Sequence, residues 1–153
     1  MKAPFARGEP QFMQRRLGID NQHLTYLDAG RIAADAGVSW VALHGRTAAQ
    51  YYGGAADWEA IARLVDHIPQ TPVLGNGDIW SAADAVAMLA RTGAAGVVVG
   101  RGCLGRPWLF GQIHAALAGQ DVPREPDARV ILALLRRHAA LLVDMHGDEF
   151  LGC

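Results

Sequence analysis

Three short apolar runs, each closing in a glycine-bearing polar turn, limit what this chain can fold into. They are Val38-Ser39-Trp40-Val41-Ala42-Leu43 before His44-Gly45-Arg46-Thr47, Pro72-Val73-Leu74 before Gly75-Asn76-Gly77-Asp78, and Gly96-Val97-Val98-Val99 before Gly100-Arg101-Gly102. Their apolar character is continuous rather than alternating, the pattern of strands in a parallel sheet covered on both faces. Helical periodicity lies between them. Trp58, Ile61, Ala62, Val65 and Ile68 recur at i, i+3, i+4, i+7 spacing, as do Ala82, Ala85, Val86 and Leu89. Ser81 with Asp84 three residues on predicts a capping box. Upstream, Leu24 to Ala36 predicts another helix, stopped at Gly37.

The order helix, strand, helix, strand, helix, strand, helix requires right-handed crossovers and predicts an α/β fold. The strands recur at roughly 25 to 33 residues, close to the ~30 per unit of a (β/α)8 barrel. A doubly wound open sheet has the same alternation, and periodicity does not separate the two. After Gly119 the texture changes. A polar, proline-bearing linker, Asp121 to Asp127, precedes a helix with the apolar stripe Ile131, Leu134, Leu135, His138 and Leu142, and no strand follows. The expected division is residues 1–13, 14–119 and 120–153.

Composition narrows the function classes. With 153 residues, 51% hydrophobic and 19% charged, the chain suits one domain with a real core. Fourteen Lys and Arg against fifteen Asp and Glu give a net charge of −1, which excludes a strongly basic nucleic-acid clamp and leaves room only for a local arginine cluster. Two cysteines, Cys103 and Cys153, make neither a disulfide framework nor a zinc site and point to a reducing, cytoplasmic setting. The six histidines show no metal-ligand spacing. No apolar run approaches the ~20 residues of a membrane span, and the first ten residues lack a signal-peptide core.

In parallel α/β folds the chemistry sits on loops at the carboxyl ends of the strands, where all three turns fall. Glycines on both sides of Asn76 let backbone approach a ligand closely, and Gly100-Arg101-Gly102 adds a fixed positive charge. The pair reads as a phosphate cradle, or simply as two tight strand-to-helix turns. His44 is suited to a cofactor ring or phosphate, or to a backbone partner. Arg46, Arg101 and Arg106 stand next to strand ends, as needed to meet an RNA backbone, or are ordinary solvated charges. Tyr51-Tyr52-Gly53-Gly54 offers a stacking surface for a base, or loop packing. Cys103 has no His or Asp partner in sequence that would make it a nucleophile.

These turns carry a resemblance. Leu43-His44-Gly45-Arg46-Thr47, Gly75-Asn76-Gly77-Asp78-Ile79 and Gly100-Arg101-Gly102-Cys103-Leu104-Gly105-Arg106-Pro107-Trp108 resemble, in order and spacing, the HGRT, NGDI and GR-x-x-x-GRPW motifs of bacterial tRNA-dihydrouridine synthases. Arg16-Leu17-Gly18-Ile19-Asp20 is similar to the end of that family's K-x-R-x-G strand, so the likeness runs from about residue 14 to 146. The resemblance implies the second half of a (β/α)8 TIM barrel followed by the start of a helical tRNA-binding domain. It implies FMN, its phosphate held by Asn76, Gly77, Asp78, Gly100 and Arg101 with His44 also in contact, and NADPH as reductant. It implies tRNA as substrate, faced by Arg16, Arg46 and Arg106, with uridine reduced to 5,6-dihydrouridine. The family's Asn-x-x-Cys-Pro loop has no counterpart here, and Gln14 stands where the family has lysine. The expectation is therefore a partial chain, inactive alone and prone to self-association through open sheet edges. The alternatives are a non-catalytic flavin- or phosphate-binding half-barrel, and half of a phosphate-binding barrel enzyme of other chemistry, such as an isomerase or aldolase.

Overall fold

The apolar runs become strands because each can share its side chains with a helix packed on one face of the sheet. The computed structural model describes residues 11–146. Within them lie β1 (Phe12–Arg16), α1 (Tyr26–Asp35), β2 (Trp40–His44), α2 (Trp58–His67), β3 (Val73–Asn76), α3 (Ala82–Thr92), β4 (Gly96–Val98), a 3-10 turn (Arg101–Cys103), α4 (Leu109–Leu117) and α5 (Ala128–His146). The four strands are parallel and lie in the order β1-β2-β3-β4. A doubly wound sheet reverses its strand order at a switch point, and this one does not. The sheet is an arc of the barrel type.

Side chains alternate across the sheet. Leu43 and Gly75 face the helices, where Ile61, Leu64, Met88 and Leu109 are fully buried. A side chain at Gly75 would collide with the Met88 thioether, so the glycine makes room for α3 to lie close on the sheet. The opposite face carries His44 and Asn76. Helix starts follow local chemistry. Asp57 accepts from the Ala60 N–H at α2, and the Ser81–Asp84 capping box forms at α3 with both reciprocal bonds in place.

Several boundaries differ from the sequence expectation. β1 arises where no apolar run exists. Phe12 and Met13, expected in the non-matching segment, are its first residues, and Leu17 to Asp20 follow it as loop. The strand FMQRR owes its existence to pairing with β2, Phe12 opposite Trp40 through Arg16 opposite His44, and to the Phe12–Trp40 ring stack at 4.4 Å. β3 runs on into Gly75 and Asn76 because those residues pair with Leu43 and His44. Helix α4 begins at Leu109, two residues after Pro107.

The chain divides into two compact units after Val122. The first contains the sheet and α1 to α4. In the second, α5 opens with the Asp127 carboxylate accepting from the Arg129 and Val130 N–H groups. Among the described residues no helix is long and apolar enough to cross a membrane. Truncating Leu64 to Ala in the wholly buried α2 face is expected to lower stability by about 2–5 kcal/mol, whereas Ile32→Ala on the exposed side of α1 stays within about 0.5 kcal/mol. Urea unfolding midpoints check both.

Candidate anion-binding cleft

Parallel pairing sets Arg16, His44, Asn76 and Val98 opposite one another, a row across the ends of four strands. Above it opens a cleft of about 630 Å³, lined also by Gly77, Asp78, Tyr52, Trp80, Gly100 and Arg101, within the range of small-molecule and cofactor sites. Among the described residues, four arginines (Arg15, Arg16, Arg46 and Arg101) line it against a single acid, Asp78.

That acid is already committed. Arg46 is 2% exposed, and its Nη2 donates to both Asp78 carboxylate oxygens at 2.7 and 2.8 Å and to the Gly54 carbonyl at 2.6 Å, while Nε donates to the Gly53 carbonyl. The Ala56 N–H donates to Asp78 Oδ2 as well. Burial alone would raise the Asp78 carboxyl, but the Ala56 amide and the Arg46 guanidinium outweigh it and hold its pKa below the ordinary value. These bonds also keep Asp78 at φ +54°, left-handed for a side-chain-bearing residue. Arg46 was expected to face RNA. It is instead an internal clamp, because its Nε and Nη2 find their acceptors within the protein, at Gly53 and Gly54 of the same loop and at Asp78 of the next.

The neighbouring turn is equally constrained. Gly77 sits at φ +124°, and a side chain there would strike the Ala56 methyl and the His44 ring, while its carbonyl accepts from the Trp58 indole N–H at 3.0 Å. Asn76 Nδ2 donates to the Val98 carbonyl at 2.6 Å, tying the ends of β3 and β4. A side chain at Gly102 would run into the Ile79 carbonyl, so the turn after β4 can approach the turn after β3 only with glycine there. Space above Gly100 is open. Among the described residues the N–H groups of Gly100, Arg101 and Gly102 find no acceptor, as at any helix start.

His44 is half-buried, and its pKa is lowered from 6.5 to about 4, first by burial and then by the Arg16 and Arg46 charges, against which Asp78 pulls upward. At neutral pH the ring is uncharged, with Nε2 3.5 Å from Arg46 Nη1. Arg101 lies at the cleft with Nη2 4.0 Å from Asp78, too far for a hydrogen bond. Arg16 Nη1 donates to the Thr47 and Tyr51 carbonyls, and Arg106 Nη1 to the Trp80 carbonyl. Arg106 does not line the cleft. Cys103 Sγ is 3.0 Å from the Gly100 carbonyl. Among the described residues no cluster of His, Cys, Asp and Glu could hold a metal.

So Asn76, Gly77, Asp78, Gly100, Arg101, His44, Arg16 and Arg46 do come together, and Arg106 supports the rim from outside. Trp58, Ala56 and Trp80 escaped the sequence reading. Trp58 read only as part of an apolar helix face, and nothing in its spacing announces an indole N–H aimed at Gly77. Asp57 immediately before it was the legible signal, since an N-cap fixes where the indole stands.

The fold and site define a class: a partial parallel barrel with a cationic, glycine-rimmed cleft at the carboxyl ends of its strands. The chain matches the dihydrouridine synthase (Dus) family over residues 6–151 and belongs to that family. It is 54% identical over 140 residues to a protein of Mycobacterium tuberculosis named probable tRNA-dihydrouridine synthase, and 53% identical to one of the same name from Mycobacterium leprae. Identity to a protein of that name from Rhodobacter capsulatus is 41%. Each match covers 92% of this chain but only 36% of the mycobacterial proteins and 43% of the Rhodobacter one.

Two outcomes follow from the geometry. Asp78→Ala leaves the Arg46 charge buried without its counter-ion and is expected to cost about 3 kcal/mol, read by denaturant unfolding; no loss of stability would refute the clamp. Because His44 has a lower pKa folded than unfolded, the unfolded chain binds the extra proton between about pH 6.5 and 4. Stability should therefore fall as pH drops through that window, and His44→Gln should flatten the slope.

Proposed function

We propose that the cleft holds the phosphate end of FMN and that the chain is the cofactor-gripping part of a tRNA-dihydrouridine synthase. The observation that carries this is Arg101, whose guanidinium makes no hydrogen bond among the described residues and stands beside the open turn at Gly100 while the one nearby acid is neutralised by Arg46. The residues present suit a dianion. Arg101, the amides of Gly100 to Gly102 and the turn at Asn76-Gly77 would hold the phosphate, and uncharged His44 would donate to or accept from the cofactor. Asp78 acts by shaping its turn with Arg46, not by touching the phosphate. The chemistry FMN supplies when bound is hydride transfer between NADPH and uridine. Arg16 and Arg106 serve the tRNA side, anchoring rim loops that meet the RNA backbone.

The test is paired binding of FMN and riboflavin. Arg101→Met is expected to weaken FMN by roughly 10- to 100-fold, the worth of a charge-assisted bond, and to leave riboflavin unaffected. Equal binding of the two by the unaltered chain would sink the reading. Since this chain carries no Asn-x-x-Cys-Pro loop, it should take up FMN without forming dihydrouridine on unmodified tRNA in the presence of NADPH.

A further inference from the structure

Two exposed rings stand at the mouth of the cleft. Tyr52, on the loop after β2, is 58% exposed, and Trp80, on the loop after β3, is 45% exposed. The Arg101 guanidinium, from the turn after β4, lies over both, its Cζ 4.5 Å from the Tyr52 ring centre and 5.2 Å from that of Trp80. Both rings are mounted on anchored backbone. Arg16 donates to the Tyr51 carbonyl and Arg46 to those of Gly53 and Gly54, on either side of Tyr52. The Trp80 carbonyl accepts from Arg106 and its N–H donates to Asp84.

We propose that Tyr52 and Trp80 are positioning residues: an aromatic clamp that keeps Arg101 off Asp78 and aimed at an anion in the cleft. This rests on the phosphate reading above. An arginine side chain has rotamer freedom to lose, and the nearest alternative partner is the Asp78 carboxylate 4.0 Å away. Pairing with it would consume the donors the ligand needs. Ring faces attract a guanidinium without supplying hydrogen-bond acceptors, so a cation held there keeps its N–H groups available. The clamp thus joins three successive strand-end loops into one cation-presenting rim.

The experiment compares the full chain with Tyr52→Leu/Trp80→Leu and with Tyr52→Phe/Trp80→Phe, titrating FMN, riboflavin and inorganic phosphate by calorimetry after circular dichroism confirms folding. Two cation–π contacts at an exposed site correspond to a loss of roughly 5- to 30-fold in affinity. The leucine pair should lose that much for FMN and inorganic phosphate and nothing for riboflavin, and the phenylalanine pair should recover most of it. A leucine pair that keeps its preference for FMN over riboflavin, or that loses both equally, overturns the clamp. If the unaltered chain shows no preference for FMN, the functional reading fails by itself. The clamp then falls only if inorganic phosphate binding also ignores the two rings.

Discussion

The bidentate ion pair between Arg46 and Asp78 is the contact on which the site depends. It joins the turn after β2 to the turn after β3, and the same guanidinium collects the Gly53 and Gly54 carbonyls farther along the β2–α2 loop. A buried charge with one partner missing is costly, so these pieces stand or fall together. The left-handed backbone at Asp78 and the close approach at Gly77 are sustained by this pair and by the Trp58 indole, not by local preference.

The pair also sets the electrostatics. Among the described residues Asp78 is the one acid that lines the cleft, and its close pairing with Arg46 leaves only a looser contact at 4.0 Å to Arg101, so positive charge is in excess there. Burial and those guanidiniums together keep His44 uncharged, since a further cation would be repelled and poorly solvated. The outcome is a cleft that offers positive charge and neutral hydrogen-bonding groups side by side, which suits a phosphate attached to a neutral ring system. A row of residues aligned by parallel register supplies the floor, and the aromatic rim governs where the outermost cation points.

Family membership and fold class stand on different supports. The order of four parallel strands without reversal separates a barrel arc from a doubly wound sheet, a distinction that strand spacing alone left open. Membership rests on the match over residues 6–151, and it agrees with three strand-end motifs whose spacing is set by the length of a βα unit.

Much of the fold is legible in the sequence alone. Continuous apolar runs, the 3.6-residue stripes of α2 and α3 and the Ser81–Asp84 cap are local signals, and each marked an element that forms. The glycine turns announced the site because a strand must end where a helix begins, and Gly77 and Gly102 prove necessary for close approach. What the sequence could not determine is held by contacts between residues far apart in the chain. β1 has no apolar signature and exists through its neighbour. Arg46 and Arg101 look alike in sequence, each beside a glycine after a strand, yet one is buried against a carboxylate 32 residues away and the other lies at a cleft over two rings. Local spacing can bring an arginine to the edge of the sheet. Only the packing of three loops against one another decides which guanidinium is spent inside the protein and which remains for a ligand.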